Sequence, residues 1–242
     1  MANSSASRVV LVTGGSRGIG RAIVEKQAAA GDHVYFCSRN AQSIAATAQD
    51  LGPRYPGKIT GRICDVRDAV AVEGLIDAVA ADSGRLDVLV NNAGLGYFAP
   101  VDEMEVERFR EVLETNLFGA FFATRAAAKL MKRQGEGWIF NIASLAAKNT
   151  FAGGAAYNAS KFAMVGFSEA SMLDLRHYGI RVAAICPGSV ATEFRTGFRP
   201  EEEQNWMLAP EDVAQAVADL LAYPARALPS LVELRPSRPP KK

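Results

Sequence analysis

The sequence predicts an α/β domain: a doubly wound parallel sheet of about seven strands with helices on both faces. Three observations carry this expectation. Short β-branched and apolar runs alternate with longer Ala-rich stretches along the whole chain. The connections between them are brief and marked by Gly, Pro, Asn or Asp. The strand runs are apolar almost throughout, as strands covered on both faces must be. With 242 residues, 49% of them hydrophobic, the chain can bury such a core, and no linker, repeat or composition break divides it. Residues 1–242 therefore read as one domain, with loosely ordered ends over 1–7 and 236–242.

Arg8–Thr13 (RVVLVT) is the first strand, and GGSRGIGRAI after it reads as a tight turn opening a helix over Arg21–Ala30. Gly14, Gly18 and Gly20 are spaced as GxxxGxG, a relative of the dinucleotide-binding fingerprint, with Ser16, Arg17 and Ile19 filling the turn. Glycine lets the backbone approach a pyrophosphate, and a helix starting near Gly18 points its N–H groups at the anion. His33–Cys37 is the second strand. A carboxylate at its end would accept hydrogen bonds from a ribose 2′-hydroxyl and repel a 2′-phosphate. Here the residues are Ser38-Arg39-Asn40. Arg39, assisted by Arg17, could hold a 2′-phosphate through charge-assisted hydrogen bonds; two solvated arginines are the plain alternative. The expected cofactor is NADP(H) rather than NAD.

A helix over Ala41–Leu51 and a strand over Ile59–Cys64 follow, then Asp65-Val66, where backbone or carboxylate could contact an adenine edge. Asp65 could equally cap the next turn. After a helix over Ala69–Ala81, the strand Leu86–Val90 ends in Asn91-Asn92-Ala93-Gly94. This small, amide-rich turn could pass close under a cofactor while at least one asparagine braces neighbouring strands. A helical pattern from Asp102 to Gln134 breaks at Thr115-Asn116, because an Asn amide competes for backbone groups. A kink or a functional position would each explain the break.

Trp138–Ala143 is a strand ending at Ser144, and a helix from Gly154 to about His177 carries Tyr157 and Lys161. Residues four apart on a helix share a face. A phenol titrates near ~10 and is a poor acid–base group at neutral pH, so a fixed ammonium beside it would pull it towards a working range. Alone, the pair could be simply a Tyr and a Lys on an amphipathic surface helix. The strand Gly179–Cys186 ends in Pro187-Gly188-Ser189-Val190-Ala191-Thr192. A polar stretch, Glu193–Asn205, precedes a helix over Met207–Ala222 opened by Ala209-Pro210-Glu211-Asp212, and Leu231–Leu234 is the last strand.

Together these pieces resemble the short-chain dehydrogenase/reductase family. The matching residues are Thr13 through Gly20, Asp65-Val66, Asn91 through Gly94, Asn116, Ser144, Tyr157-Asn158-Ala159-Ser160-Lys161 and Pro187-Gly188 through Thr192, in the family's order. The resemblance implies a Rossmann-type fold binding its cofactor at the carboxyl ends of the strands. It also implies that Tyr157 exchanges a proton with the substrate oxygen while Ser144 orients the carbonyl. Lys161 would lower the Tyr157 pKa and hold the nicotinamide ribose, and Asn116 would position a water linking Lys161 to solvent. Thr192 and the backbone after Pro187, including Gly188 and Val190, would meet the nicotinamide carboxamide. The implied activity is NADP(H)-dependent interconversion of a secondary alcohol, 3-hydroxy-acid-like or otherwise small to medium, and its ketone. Reduction of an oxoacyl group on acyl carrier protein is the alternative. The family reductases of that kind usually end in a Thr-Gly strand and Asp-Gly-Gly, where this chain has Leu228 through Pro236. A non-catalytic NADP sensor would be marked by a broken Ser–Tyr–Lys set, which is complete here. A homo-oligomer, tetramer or dimer, built on the Asp102–Gln134 and Gly154–His177 helices is implied too.

Composition narrows the classes further. A net charge of +1 offers no global field for nucleic acid or an anionic membrane. Cys37, Cys64 and Cys186 form no disulfide framework, which points to a reducing cytoplasm. His33 and His177 stand far apart, so no metal site is expected. No apolar run approaches the ~20 residues of a membrane span, and Met1–Arg8 lacks the apolar region of a signal peptide. Leu95, Tyr97, Phe151 and Phe194 could line an apolar pocket or simply pack. The short, charged segment after Thr192 favours small or polar carbonyls over steroids.

Overall fold

The computed structural model describes residues 7–194 and 206–240. Seven parallel strands form one sheet among them: β1 (Val9–Thr13), β2 (His33–Ser38), β3 (Ile59–Ile63), β4 (Val88–Asn91), β5 (Gly137–Ile142), β6 (Ile180–Pro187) and β7 (Leu231–Leu234). Their order is β3-β2-β1-β4-β5-β6-β7. After β3 the chain crosses back to the other side of β1, so the connections leaving β1 and β4 diverge. That reversal opens a crevice at the carboxyl edge, where α/β sheets bind ligands.

Strand register explains why the runs are apolar on both faces. Tyr35, Leu11, Leu89, Ile139 and Val182 stand side by side across five strands. They face one core with α3 (Ala69–Ser83), α5 (Gly119–Gln134) and α6 (Ala155–Leu175). One residue further along, Phe36, Val12, Val90, Phe140 and Ala183 form the opposite row. These meet α1 (Gly18–Ala29), α2 (Ala41–Leu51) and α7 (Pro210–Leu221). Alternation of side chains along each strand thus fills two cores from one continuous apolar run.

The helix starts are set locally. Asn40 caps α2, its Oδ1 accepting from Gln42 N at 2.8 Å and Ser43 N at 3.1 Å. Asp68 caps α3 in the same way, and Gly84, at φ +74°, ends it. Several boundaries differ from the sequence reading by a few residues, and two of the differences have a clear cause. Leu86 is not in β4, because the Gln134 amide takes both its N–H and its carbonyl. Helix α1 begins at Gly18, where the anion-facing N–H groups were expected, three residues ahead of the Ala-rich run over Arg21–Ala30. The pattern over 102–134 is α4 (Val106–Leu113), a π-helical turn over Glu114–Phe118 and then α5, so the expected break at Thr115-Asn116 is one wide turn. Most of the polar stretch Glu193–Asn205 lies outside the described residues, as do 1–6 and 241–242. Among the described residues no helix is long and apolar enough to cross a membrane, and no acidic, His or Cys cluster could hold a metal.

Candidate active site

The carboxyl ends of β1 and β4 bring the glycine turn against the amide-rich turn. Thr13 Oγ1 accepts from Asn92 N at 3.0 Å and Ala93 N at 3.1 Å, while Asn92 Nδ2 donates to the carbonyls of Thr13 and Gly14. Gly14 has φ +64°, and a Cβ there would stand 2.9 Å from Ala93 Cα. A Cβ on Gly20 would fall onto the Gly14 carbonyl and the Asn92 amide. The turn is therefore held tight from behind and bare in front. Asn92 spends its side chain on this bracing. Asn91 braces too, donating to Thr124 Oγ1 and Asn141 Oδ1. The first turn of α1 has no side-chain cap and no acidic residue, so its N–H groups remain open to an anion.

Beside this turn three hydroxyls converge. Ser43 Oγ lies 3.3 Å from both Ser16 Oγ and Ser38 Oγ. Ser43 was not legible as a site residue, since α2 brings it back over the glycine turn. Arg17 and Arg39 are exposed on the same edge, Arg39 Nη1 standing 3.7 Å from Glu111 Oε1. Asp65 takes its turn-capping role: Oδ1 accepts from Arg67 N at 3.0 Å, and the Arg67 guanidinium grips the carboxylate at 2.6–3.0 Å. That guanidinium holds the Asp65 carboxyl below its ordinary pKa. Val66 is buried and would clash with a Cβ on Gly119.

Across the crevice, Ser144 leaves the end of β5, and its Oγ accepts from Ala146 N at 3.1 Å. Tyr157 stands in the first turn of α6. Burial pushes its phenol above the usual range, and the Ser144 hydroxyl pulls it partly back. Lys161 is 5% exposed, and desolvation lowers its ammonium to about 8. Its Nζ donates to the Ile142 carbonyl at 2.9 Å and lies 5.7 Å from the Tyr157 ring centre. In this geometry burial, rather than the Lys161 charge, is the larger influence on the Tyr157 phenol. The ammonium is itself desolvated and points at a backbone oxygen, so burial dominates the phenol.

Asn116 sits buried in the π-turn. Its Oδ1 accepts from Leu95 N at 2.8 Å, and its Nδ2 donates to Leu95 O at 2.9 Å and Ser160 Oγ at 3.0 Å. Ser160 Oγ in turn donates to Tyr157 O at 2.8 Å. The Asn116 side chain is thus fully occupied in bracing Leu95 and Ser160. Asn158, between Tyr157 and Lys161 in sequence, donates to Ala146 O at 2.7 Å and Asn149 O at 3.3 Å, tying the loop after Ser144 to α6. Beyond β6, Gly188 N donates to Leu234 O, Val190 bridges to Leu208, and Thr192 Cγ2 stands 3.3 Å from where a Gly18 Cβ would be. Of the segment Pro187–Thr192, Thr192 is thus the residue that comes over the glycine turn, while Gly188 and Val190 are tied to β7 and Leu208.

Aromatic rings surround the phenol. Phe98 and Phe194 lie 5.7 and 5.5 Å from the Tyr157 ring, and Phe151 lies 5.8 Å from Phe98. Of the four residues proposed from sequence, Phe151 and Phe194 join this group. Tyr97 turns away, its ring under Arg108 at 4.5 Å and its Oη accepting from Arg108 Nη1 at 2.7 Å. Phe98 takes its place. A separate cleft of about 510 Å³ between α7 and residues 234–238 contains none of these groups.

Known proteins match this arrangement over nearly the whole chain. A sepiapterin reductase of Chlorobaculum tepidum is 35% identical over 237 residues, covering 95% of this chain and 96% of its own. The 3-oxoacyl-[acyl-carrier-protein] reductase of Escherichia coli is 31% identical over 221 residues, covering 88% of this chain and 89% of its own. An actinorhodin polyketide ketoreductase solved with NADPH superposes with a TM-score of 0.87 at 34% identity, over 98% of each chain. Residues 8–203 match the model of the short chain dehydrogenase family. The chain belongs to the short chain dehydrogenase family of oxidoreductases.

Proposed function

We propose that this protein is an NADPH-dependent carbonyl reductase that interconverts a ketone and its secondary alcohol. The observation that carries this reading is the convergence of Ser144, Tyr157 and Lys161 on the same crevice as the bare glycine turn. The residues present fit a dinucleotide: Gly14 and Gly20, where a Cβ would collide with Ala93 and with the Gly14 carbonyl behind the turn, let the backbone fold tightly enough to bare its N–H groups, and the open N–H groups of α1 suit a pyrophosphate. Gly14 through Gly20 would hold that group, with Asp65-Val66 at the adenine and Asn92-Ala93-Gly94 beneath the ribose. Ser16, Arg17, Ser38 and Arg39 would meet a 2′-phosphate. Pro187, Gly188, Val190 and Thr192 would bound the nicotinamide end. Such a cofactor supplies a hydride when bound.

The chain's own groups supply the rest. Ser144 and Tyr157 donate hydrogen bonds to the carbonyl oxygen, where negative charge develops. Tyr157 passes its proton to that oxygen, and its raised pKa keeps the phenol protonated for the task. Lys161 holds its ammonium near the phenol and the ribose hydroxyls, and Asn116 fixes the π-turn beside them through Ser160. The complete Ser–Tyr–Lys set supports an enzyme over a sensor. Exposed Phe118 and Phe121 on the 102–134 segment and Phe162 on α6 support the expected homo-oligomer, and three free buried thiols agree with a reducing cytoplasm. The test is label transfer from NADPH deuterated at nicotinamide C4, each face in turn. Deuterium on the carbinol carbon from one face is the expected result. Product that carries no deuterium from either face would sink the proposal.

A further inference from the structure

The rings around Tyr157 carry information that the Ser–Tyr–Lys set does not. Phe98, Phe151 and Phe194 are 42%, 47% and 37% exposed, although each lies within a ring's width of its neighbour at the catalytic phenol. Aromatic side chains this large are normally withdrawn from water, and a contiguous exposed group of them marks a surface that something apolar covers. The backbone is shaped to bring them together. A Cβ on Gly96 would stand 2.8 Å from Phe98 Cζ and 3.1 Å from Phe194 Cε1, so only glycine there lets both rings approach. A Cβ on Gly154 would meet the Phe151 ring at 2.6 Å. Three separate segments, those after β4, β5 and β6, thus each contribute one phenylalanine to the mouth of the crevice.

Charges beside the mouth are already committed. Lys148, on the loop after Ser144, pairs with Glu233, and Arg108 is taken by Tyr97 and Glu111. Among the described residues, then, the walls next to Tyr157 present π-faces and ring edges rather than free ammonium groups for a carboxylate or phosphate. The rings meet Tyr157 at 66° and 54°, tilted geometries in which exposed ring faces and edges both turn outward, the two surfaces an aromatic ligand pairs with.

Resting on the carbonyl-reductase reading, we infer that the substrate class is a ketone conjugated or fused to a flat apolar ring. Its carbonyl would reach Ser144 and Tyr157 while the ring is held among Phe98, Phe151 and Phe194. In the reduction the nicotinamide C–H bond of NADPH breaks, and its hydride forms the new C–H bond at the carbonyl carbon. Tyr157 gives its proton to the oxygen, so the ketone is reduced to a benzylic-type alcohol and NADPH is oxidised to NADP⁺. This departs from the sequence expectation of small or polar carbonyls, which rested on a segment mostly outside the described residues.

The test compares kcat/KM for acetophenone and α-tetralone with that for methyl hexyl ketone and ethyl acetoacetate, with diacetyl as a reactive reference that needs no ring. Stacking on the rings predicts at least a tenfold advantage for the aryl ketones over methyl hexyl ketone. Phe98→Leu and Phe151→Leu should each cut that aryl-to-aliphatic ratio about threefold or more, and the NADPH Kd, followed by cofactor fluorescence, reports that the variants are folded. Equal or better turnover of the aliphatic ketones, or a ratio untouched in both variants, would overturn the inference and leave the reductase reading standing if diacetyl reduction requires Tyr157. Failure to reduce any of the five carbonyls would overturn both.

Discussion

Replacing Lys161 by Met removes an ammonium buried at the catalytic end of the sheet, and its cost is readable from pH. In the cofactor-free protein Lys161 protonates at about 8 instead of the ordinary 10.5. Between those values the unfolded chain still holds a proton that the folded chain has released, so stability rises with pH across this window. Below pH 8 both states are protonated, and the fold carries the full desolvation penalty, about 3 kcal/mol. Wild type should therefore gain about 2–3 kcal/mol over Lys161→Met between pH 7 and pH 10. Urea melts of both proteins at the two pH values measure this, because other titrating groups cancel in the difference. The Ile142 carbonyl loses its donor in the variant, at a cost of about 1–3 kcal/mol, but at both pH values alike. Parallel stability curves for the two proteins would refute the claim that Lys161 is desolvated.

Three further outcomes follow from the site. Gly20→Ala should weaken NADPH binding more than tenfold, because the new methyl displaces the Gly14 carbonyl from the cradle; unchanged binding in a fluorescence titration would remove the turn from the cofactor site. Arg39→Ala should raise the NADPH Kd about tenfold or more while the NADH Kd moves less than twofold, since a charge-assisted bond of about 1.5–3 kcal/mol is lost only with the phosphate; equal weakening of both would contradict the 2′-phosphate role. Asn158→Ala leaves the Ala146 and Asn149 carbonyls without their donor and should lower kcat with the NADPH Kd nearly constant, at a stability cost of about 1–3 kcal/mol. A normal kcat in that variant would show that Ser144 does not depend on the tether.

What could be read in the sequence was whatever a local pattern dictates. Two-faced burial made the strands plain, since Val10 and Leu11 must both be apolar to meet opposite cores. Gly14, Gly18 and Gly20 announced the turn because no other residue fits those approaches. Asn116 announced a break but not its form, because a π-turn depends on Leu95 and Ser160 arriving from elsewhere. Leu86 looked like a strand residue until Gln134, 48 positions on, took its hydrogen bonds. Ser43 and Phe98 gained their places through long-range packing. Tyr97 and Phe98 are neighbours in sequence with opposite fates, decided by where α4 sets Arg108. The Lys161 pKa was illegible for the same reason: its sign follows from burial, which is a property of the assembled core.

The claim at the centre of this account is that Tyr157 hands a proton to the carbonyl oxygen, and Tyr157→Phe tests it with one atom removed per molecule. Single-turnover reduction by the NADPH-loaded variant should fall by a factor of about 10²–10⁴, the range for losing a positioned general acid, with the NADPH Kd unchanged. A variant that binds NADPH normally and still reduces its ketone within tenfold of the wild-type rate would contradict the account.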